Sequence, residues 1–287
     1  MSRRHPSGLP DTLLQLPRPL VIGVLNVTPD SFSDGGKHFE VNSAVEHGIA
    51  LRRDGADIVD VGGESTRPGA TLVDVKEELK RVLPVVSALV GAGVNVSIDT
   101  MKAEVARECV AAGACLVNDV SGGLADPAMY STVAGLDVPY VIMHWRGHGA
   151  VMNQLAVYDD VVGDVLRELN ERLQTAIAGG VDPDCIIMDP GLGFAKEADD
   201  NWRLLNHLAE FVDLGYPVLI GASRKRFLGA LLADTAGQPR TFAERDAATD
   251  AVSAIAAAGG VWGVRVHNVK AAVDAVLVGR ACARGRQ

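Results

Sequence analysis

The feature that most constrains the fold of this chain is an apolar, β-like run that recurs along its whole length and ends each time in a polar residue. Stretches with helical periodicity, most of them closing on glycine, separate the copies. This alternation of about eight strands with helices predicts an α/β protein with the (β/α)8 TIM-barrel fold. In chain order, the runs are VIGVLN, IVDVGGE, VNVSIDT, CLVNDV, YVIMHW, CIIMDP, YPVLIGAS and WGVRVH.

The same rhythm defines the domain organisation. It continues from Leu20 to Arg280 without a linker, so we predict a single barrel domain over residues 20–287, preceded by an irregular, proline-rich segment over 1–19. Pro84 is expected to kink or break the helix after the second strand, and one helix is expected through Trp202–Phe211. Long loops follow strands one, two and five at the rim of the barrel, where loops of this kind are usually functional.

Composition and charge exclude several classes of function. A net charge of −9 argues against general nucleic-acid binding, which needs basic surface. The N-terminus lacks the apolar core of a signal peptide, and no run approaches the roughly 20 apolar residues of a membrane span. The four cysteines show no metal-binding spacing. We therefore predict a cytoplasmic protein without nucleic-acid or membrane partners.

Two carboxylates lie at the ends of apolar strands. Asp99 and Asp189 each follow apolar residues, so both are expected to be poorly solvated and to need partners. One interpretation is structural: each carboxylate pairs with a neighbouring Lys or Arg or caps the next helix, as Asp99 could. The other is that both carboxylates, with the amide of Asn118, bind a flat heterocycle whose adjacent N–H groups match a carboxylate.

Cationic residues cluster at the last two strands. Lys225 follows the seventh strand, and Arg265 and His267 end the eighth on one face, where barrels commonly bind phosphate. Arg67 adds a cation from a glycine-rich loop. These residues predict an anion site for a phosphorylated substrate or leaving group. No serine lies in a nucleophile elbow, and His144 is either a general base or a packed strand-end residue.

Several motifs resemble those of the dihydropteroate synthase family, in its bacterial, actinobacterial-like form. They are NVTPDSFSDGG (26–36), GGESTRPGA (62–70), SIDT (97–100), NDVSGG (118–123), DPGLGFAK (189–196), GASRKRF (221–227) and RVH (265–267). The resemblance implies a transferase of folate biosynthesis that joins 4-aminobenzoate to 6-hydroxymethyl-7,8-dihydropterin diphosphate and releases pyrophosphate. It also implies Mg2+ as cofactor, a homodimer and competition by sulfonamides.

The resemblance further implies roles for individual residues. Asp189 would hold the pterin 2-amino/N3 edge, Asn118 and Asp99 the other ring nitrogens, and Lys225 the ring carbonyl. The pterin diphosphate site would comprise Thr66, Asp99, Asn118, Met143, Asp189, Gly221, Lys225, Arg265 and His267. The 4-aminobenzoate pocket would comprise Phe32, Thr66, Arg67, Pro68 and Phe194. The catalytic residues would be Lys225, Arg265, His267 and Arg67, and Asn26 would contact the metal.

One position departs from the family pattern, and two other functions stay open. Arg226 stands where many relatives carry serine, so its side chain is not expected to bind the aminobenzoate carboxylate. A related barrel that presents methyltetrahydrofolate for methyl transfer would share the pterin residues but would need neither signature loop. A catalytically silent pterin-binding paralogue would be expected to have lost Arg67, Lys225, or the Arg265 and His267 pair.

Overall fold

One sheet of eight parallel strands forms the centre of the computed structural model, which describes residues 5–28, 37–65, 73–148 and 152–285. The strand order is β6-β5-β4-β3-β2-β1-β8-β7, and the one gap, between β6 and β7, is spanned by an isolated bridge from Met188 to Val218. The predicted (β/α)8 barrel is therefore confirmed. The strands are β1 (Leu20–Asn26), β2 (Ile58–Gly62), β3 (Val96–Asp99), β4 (Leu116–Asp119), β5 (Tyr140–Met143), β6 (Ile186–Asp189), β7 (Leu219–Ile220) and β8 (Gly263–Val266).

Helices follow every strand and surround the sheet. The clearest one runs from Val161 to Ala178, where Asp160 accepts a hydrogen bond from the Val162 N–H and the helix stops before Gly179. Its buried face recurs every three to four residues, as the sequence predicts. The described helices are α1 (Asp11–Leu14), α2 (Lys37–Arg53), α3 (Val75–Gly91), α4 (Ala103–Ala111), α5 (Met129–Val133), α6 (Val161–Ala178), α7 (Ala198–Asn206), α8 (Leu208–Asp213), α9 (Arg226–Leu231), α10 (Asp246–Ala258) and α11 (Val269–Arg284).

Alternate residues of each strand face the barrel interior, where they form layers. An apolar layer fills the end at which the strands begin; it contains Leu20, Ile22, Ile58, Leu116, Val141, Ile187, Leu219 and Trp262. Two residues further along five of these strands lie Asp60, Asn118, Met143, Asp189 and Gly221. The interior is therefore apolar at one end and predominantly polar at the other. The polar end is the rim that the sequence predicts to be functional.

The N-terminal segment closes the apolar end of the barrel. It was expected to be irregular, but it includes the single helical turn α1, and Leu9 and Leu13 are buried in the apolar interior layer. The Arg18 guanidinium donates to both carboxylate oxygens of Asp57, at 2.6 and 2.9 Å, and fixes the end of the segment beside β2.

The positions of helix breaks differ from the sequence prediction at two places. The helix α3 continues through Pro84 without a break, held by buried side chains on both sides of the proline, including Val82 and Val86. The helix expected through Trp202–Phe211 is split at His207 into α7 and α8. The first piece buries Leu204 and Leu205, and the second buries Leu208 and Phe211. No helix among the described residues is long and apolar enough to cross a membrane.

Candidate active site at the barrel rim

The predicted polar residues meet inside the barrel mouth. Asp99 on β3 is in register with Asn118 on β4, and Met143 on β5 is in register with Asp189 on β6. Asp99 does not cap the following helix, because the Ala103 N–H at the start of α4 donates to Asp126 instead. The helix-capping interpretation of Asp99 is therefore wrong, and Asp99 pairs instead with Arg265.

The Arg265 side chain pairs with two carboxylates inside the barrel, those of Asp60 and Asp99. Its Nε donates to Asp60 Oδ2 and its Nη2 to Asp99 Oδ2, both at 2.6 Å. Nη1 has no hydrogen-bond partner among the residues that the structure describes, and the side chain is 22% exposed toward the mouth. Burial raises the pKa of Asp99 to about 7, and the Arg265 charge opposes that rise.

Asp60 is a part of this site that the sequence analysis missed. It is fully buried, and its Oδ2 accepts a second hydrogen bond from Asn118 Nδ2 at 3.0 Å. Because a carboxylate only accepts, the Asn118 nitrogen must face Asp60, and its Oδ1 is left as an acceptor. The signal was a single acid inside the apolar run IVDVGGE, two residues after the inward-facing Ile58.

Asp189 is held by one of its oxygens only. Its Oδ1 accepts from the Gly191 N–H at 2.7 Å, and Oδ2 has no hydrogen-bond partner in the described part of the chain. A side chain at Gly221 would come within 3.7 Å of Oδ2, so the glycine keeps the approach to this oxygen open. Burial raises the pKa of Asp189 to about 6, against the Gly191 N–H and the Lys225 charge.

Lys225 places an ammonium group within electrostatic reach of Asp189 and Asp99. Its Nζ lies 3.8 Å from the centre of the Phe194 ring and makes no ion pair or hydrogen bond with a described residue. Surrounding protein atoms and the Arg265 charge lower its pKa to about 8, although the side chain keeps part of its surface open to the mouth. Apolar side chains complete this side of the rim: Met101, Val120, Met143, Trp145 and Phe194.

His267 lies just beyond β8, beside a residue to which the sequence assigned no role. The Ser223 hydroxyl is 2.8 Å from His267 Nδ1 and also accepts from the His267 backbone N–H at 3.1 Å. Ser223 therefore fixes the orientation of the imidazole between the last two strands.

His144 is a packed residue rather than a base that faces the mouth. It is fully buried, with Nε2 3.0 Å from Glu168 and Nδ1 2.9 Å from Lys196 Nζ. Burial and the nearby Lys196 charge lower its pKa to about 3, so the ring is neutral.

Some predicted residues cannot be placed. Phe32, Thr66, Arg67 and Pro68 lie outside the described residues. Asn26 ends β1 at the rim, partly exposed. No group of three or more His, Cys, Asp or Glu side chains among the described residues is arranged to hold a metal ion. A single amide oxygen fits Mg2+, which is commonly held by few protein ligands together with substrate phosphates and water.

The geometry defines what the mouth can bind. Asp99 Oδ1, Asn118 Oδ1 and Asp189 Oδ2 are acceptors without partners in the described structure, and Lys225 faces them as a donor. Apolar side chains flank this set. A planar heterocycle with several N–H groups and one carbonyl oxygen is complementary to it.

Comparison with known proteins agrees with this geometry. The model of a family described as pterin binding enzyme matches residues 22–267. A dihydropteroate synthase of Mycobacterium leprae is 54% identical over 259 residues, covering 90% of this chain and 91% of that protein. A structure of Xanthomonas albilineans dihydropteroate synthase with 4-aminobenzoic acid is 46% identical, with a TM-score of 0.85 and 98% of both chains covered. Another from that organism, in complex with 7,8-dihydropteroate, has a TM-score of 0.82 at 45% identity, covering 93% of this chain and 95% of that one.

The fold and the site thus define a barrel enzyme of the pterin-binding class. The chain belongs to the dihydropteroate synthases, which are transferases. This membership favours the synthase over the methyl-transfer barrel that the shared pterin residues had left open.

Proposed function

We propose that the protein condenses 6-hydroxymethyl-7,8-dihydropterin diphosphate with 4-aminobenzoate, giving 7,8-dihydropteroate and pyrophosphate for folate biosynthesis. The observation that carries the proposal is the set of three unpartnered acceptors opposite Lys225. The related structures that contain 4-aminobenzoic acid and 7,8-dihydropteroate support the identities of the second substrate and the product.

The protein holds the pterin by the acceptors that it leaves unpaired. Asp189 Oδ2 accepts from the 2-amino/N3 edge, Asn118 and Asp99 bind the remaining ring nitrogens, and Lys225 donates to the ring carbonyl. Met143 and Gly221 border the ring, which the Arg265 guanidinium covers. A ring held on these sides presents its exocyclic carbon in one orientation, which lowers the entropic part of the barrier.

The reaction exchanges one bond at that carbon. The amino nitrogen of 4-aminobenzoate supplies the electron pair of the new C–N bond, the C–O bond breaks, and its electrons leave with the diphosphate. The nitrogen then releases a proton. Arg265, His267 and Arg67 stabilise the charge that develops on the leaving group. Because the arylamine is already nucleophilic, the chain needs no activated serine or cysteine.

Mg2+ is the proposed cofactor. Asn26 would hold it at the end of β1, and the bound ion would neutralise part of the diphosphate charge. Phe194, with Phe32, Thr66, Arg67 and Pro68 from the two signature loops, would form the aminobenzoate pocket. Sulfonamides would compete for that pocket.

Release of pyrophosphate tests the proposal directly. The protein is mixed with pterin diphosphate, 4-aminobenzoate and Mg2+, and each component is omitted in turn. We expect pyrophosphate to appear only in the complete mixture. Pyrophosphate that stays at background while 6-hydroxymethylpterin still binds would contradict the synthase assignment and favour the silent paralogue.

The protein is also proposed to be a homodimer that forms through the helices beside β7 and β8. Ile255 on α10 and Leu277 and Val278 on α11 are large apolar residues exposed on these neighbouring helices, and such a patch is typical of a subunit interface. Sedimentation velocity tests this: a monomer at micromolar concentration contradicts it. The cytoplasmic location and the absence of nucleic-acid partners stay predictions.

A further inference from the structure

A buried lysine organises the loop between β6 and α7. Lys196 is 9% exposed, and its Nζ donates to the carbonyl oxygens of Gly191 and Phe194, each at 3.0 Å. Its third contact is His144 Nδ1. Two backbone carbonyls of the loop therefore bind the ammonium group of a lysine in the same loop.

The neighbours of His144 determine the protonation of this pair. The Glu168 carboxylate only accepts, so His144 Nε2 carries the proton of the neutral ring, and Nδ1 must accept from Lys196. Lys196 thus uses all three hydrogens of its protonated form. Arg146 also donates to Glu168, at 2.5 Å, and to the carbonyl of Val157, at 2.7 Å, which joins the loop after β5 to the same network.

The backbone of the loop is strained at one residue, so these tethers stabilise the path that it takes. Gly191 and Ala195 have φ values of +70° and +47°, and the latter is unfavourable for a residue with a side chain. A Cβ at Gly191 would also clash with the His144 carbonyl oxygen. Tyr158 supplies the outer tether, because its hydroxyl donates to the Ala195 carbonyl at 2.8 Å.

The tethered loop carries Phe194 to the site. The Phe194 carbonyl is bound to Lys196, and its ring lies over Lys225 Nζ, at the apolar side of the rim. We infer that Lys196 is a positioning residue for the second substrate: it holds Phe194 in place to shape the 4-aminobenzoate pocket, and His144 orients Lys196. This inference rests on the proposed function, in which Phe194 contacts 4-aminobenzoate.

The variant Lys196→Met tests the inference, because methionine fills a similar volume without the ammonium group. We expect the KM for 4-aminobenzoate to rise at least tenfold, while the Kd for 6-hydroxymethylpterin, measured by calorimetry, changes less than threefold. A KM within threefold of the wild type, or an equal loss in both constants, overturns the inference. A wild type that releases no pyrophosphate contradicts the proposed function instead.

Hydrogen exchange tests the tether independently of catalysis. We expect the peptide covering residues 190–197 to exchange at least tenfold faster in Lys196→Met, with the exchange of α10 unchanged. Unchanged exchange in the loop overturns the inference, whatever the activity of the protein.

Two further variants keep the test valid if Lys196→Met folds poorly. Tyr158→Phe removes only the hydroxyl that binds Ala195, and we expect the aminobenzoate KM to rise three- to tenfold; no change in KM counts against the tether. The double variant His144→Phe, Lys196→Met removes the unpaired His144 Nδ1 that Lys196→Met leaves, and it should regain part of the lost stability. It should keep the raised KM, whereas a KM restored together with stability would show a merely structural role. Glu171→Gln, an exposed change on α6, is the matched control that should behave as the wild type.

Discussion

Replacing Asp189 with asparagine reverses the polarity of one atom in the pterin site. Asp189 Oδ1 is occupied by the Gly191 N–H at 2.7 Å, and the amide nitrogen of an asparagine cannot accept that bond. The asparagine must therefore keep its oxygen toward Gly191 and place its NH2 group where Oδ2 now lies. A charged acceptor at the mouth becomes a neutral donor, with almost no change in volume.

The magnitude follows from the bonds that this exchange removes. The pterin edge loses a hydrogen bond to the charged oxygen Oδ2, which contributes about 1.5–3 kcal/mol, and a buried donor without a partner costs about 1–3 kcal/mol more. A combined loss of about 2.5–6 kcal/mol corresponds to roughly two to four orders of magnitude in Kd. The fold should change little, because the bond to Gly191 survives.

Calorimetric titration with 6-hydroxymethylpterin measures this loss, and its pH dependence provides a second readout. The pKa of Asp189 is raised to about 6, and the pterin edge needs the ionised carboxylate, so wild-type affinity should fall as the pH decreases through about 6. The asparagine variant should lack the part of the decline that centres on pH 6 and keep the part near pH 7 that Asp99 contributes. A variant Kd within tenfold of the wild type, or wild-type affinity that is flat between pH 7 and 5, refutes the reasoning.

Two further predictions concern the missed acid and the core. Asp60→Ala leaves Arg265 Nε and Asn118 Nδ2 without their shared acceptor, and at about 1–3 kcal/mol each we expect pterin affinity to fall at least tenfold in the same titration; an unchanged Kd would show that neither group depends on Asp60. Phe211→Ala removes a fully buried ring from α8, and we expect urea denaturation to show a free energy of unfolding lower by about 3–5 kcal/mol; a loss below 1 kcal/mol would contradict the packing described.

The barrel and much of its rim were predictable because they depend on local periodicity. Apolar runs that end in polar residues define the strands, and parity along a strand places Asp99, Asn118 and Asp189 inside the mouth. Strand ends were less predictable: the run YPVLIGAS predicts a longer β7 than the two residues, Leu219–Ile220, that form the strand. Proline cannot donate to a neighbouring strand, and β6 meets this region only through the bridge at Val218.

Residues whose role depends on contacts between distant elements were not predictable. Asn118 and Asp119 are adjacent polar strand ends, yet Asp119 faces outward and accepts from Ser121, Gly123 and the Tyr140 hydroxyl. Alternation along β4 sends the two side chains to opposite faces, but the local pattern does not show the partners of Asp119, which lie on β5 and in the following turn. Likewise, the contact of Lys196 with His144 spans 52 residues of sequence.

Two buried carboxyl groups at the rim destabilise the fold when they ionise, and the same groups favour binding of the ligand. The pKa values of Asp99 and Asp189 in the folded protein, about 7 and about 6, lie above the ordinary value of 3.8. The folded chain therefore binds protons more tightly than the unfolded chain, and ionisation of these carboxyls weakens the fold as the pH rises from about 4 to 7. The apolar interior layer beneath them, covered by Leu9 and Leu13, offsets this loss. The same desolvation strengthens their hydrogen bonds to a ligand with N–H donors, because there is little water to compete. An acceptor that is poorly satisfied by its own protein is therefore the most specific indication of what the barrel mouth is built to bind.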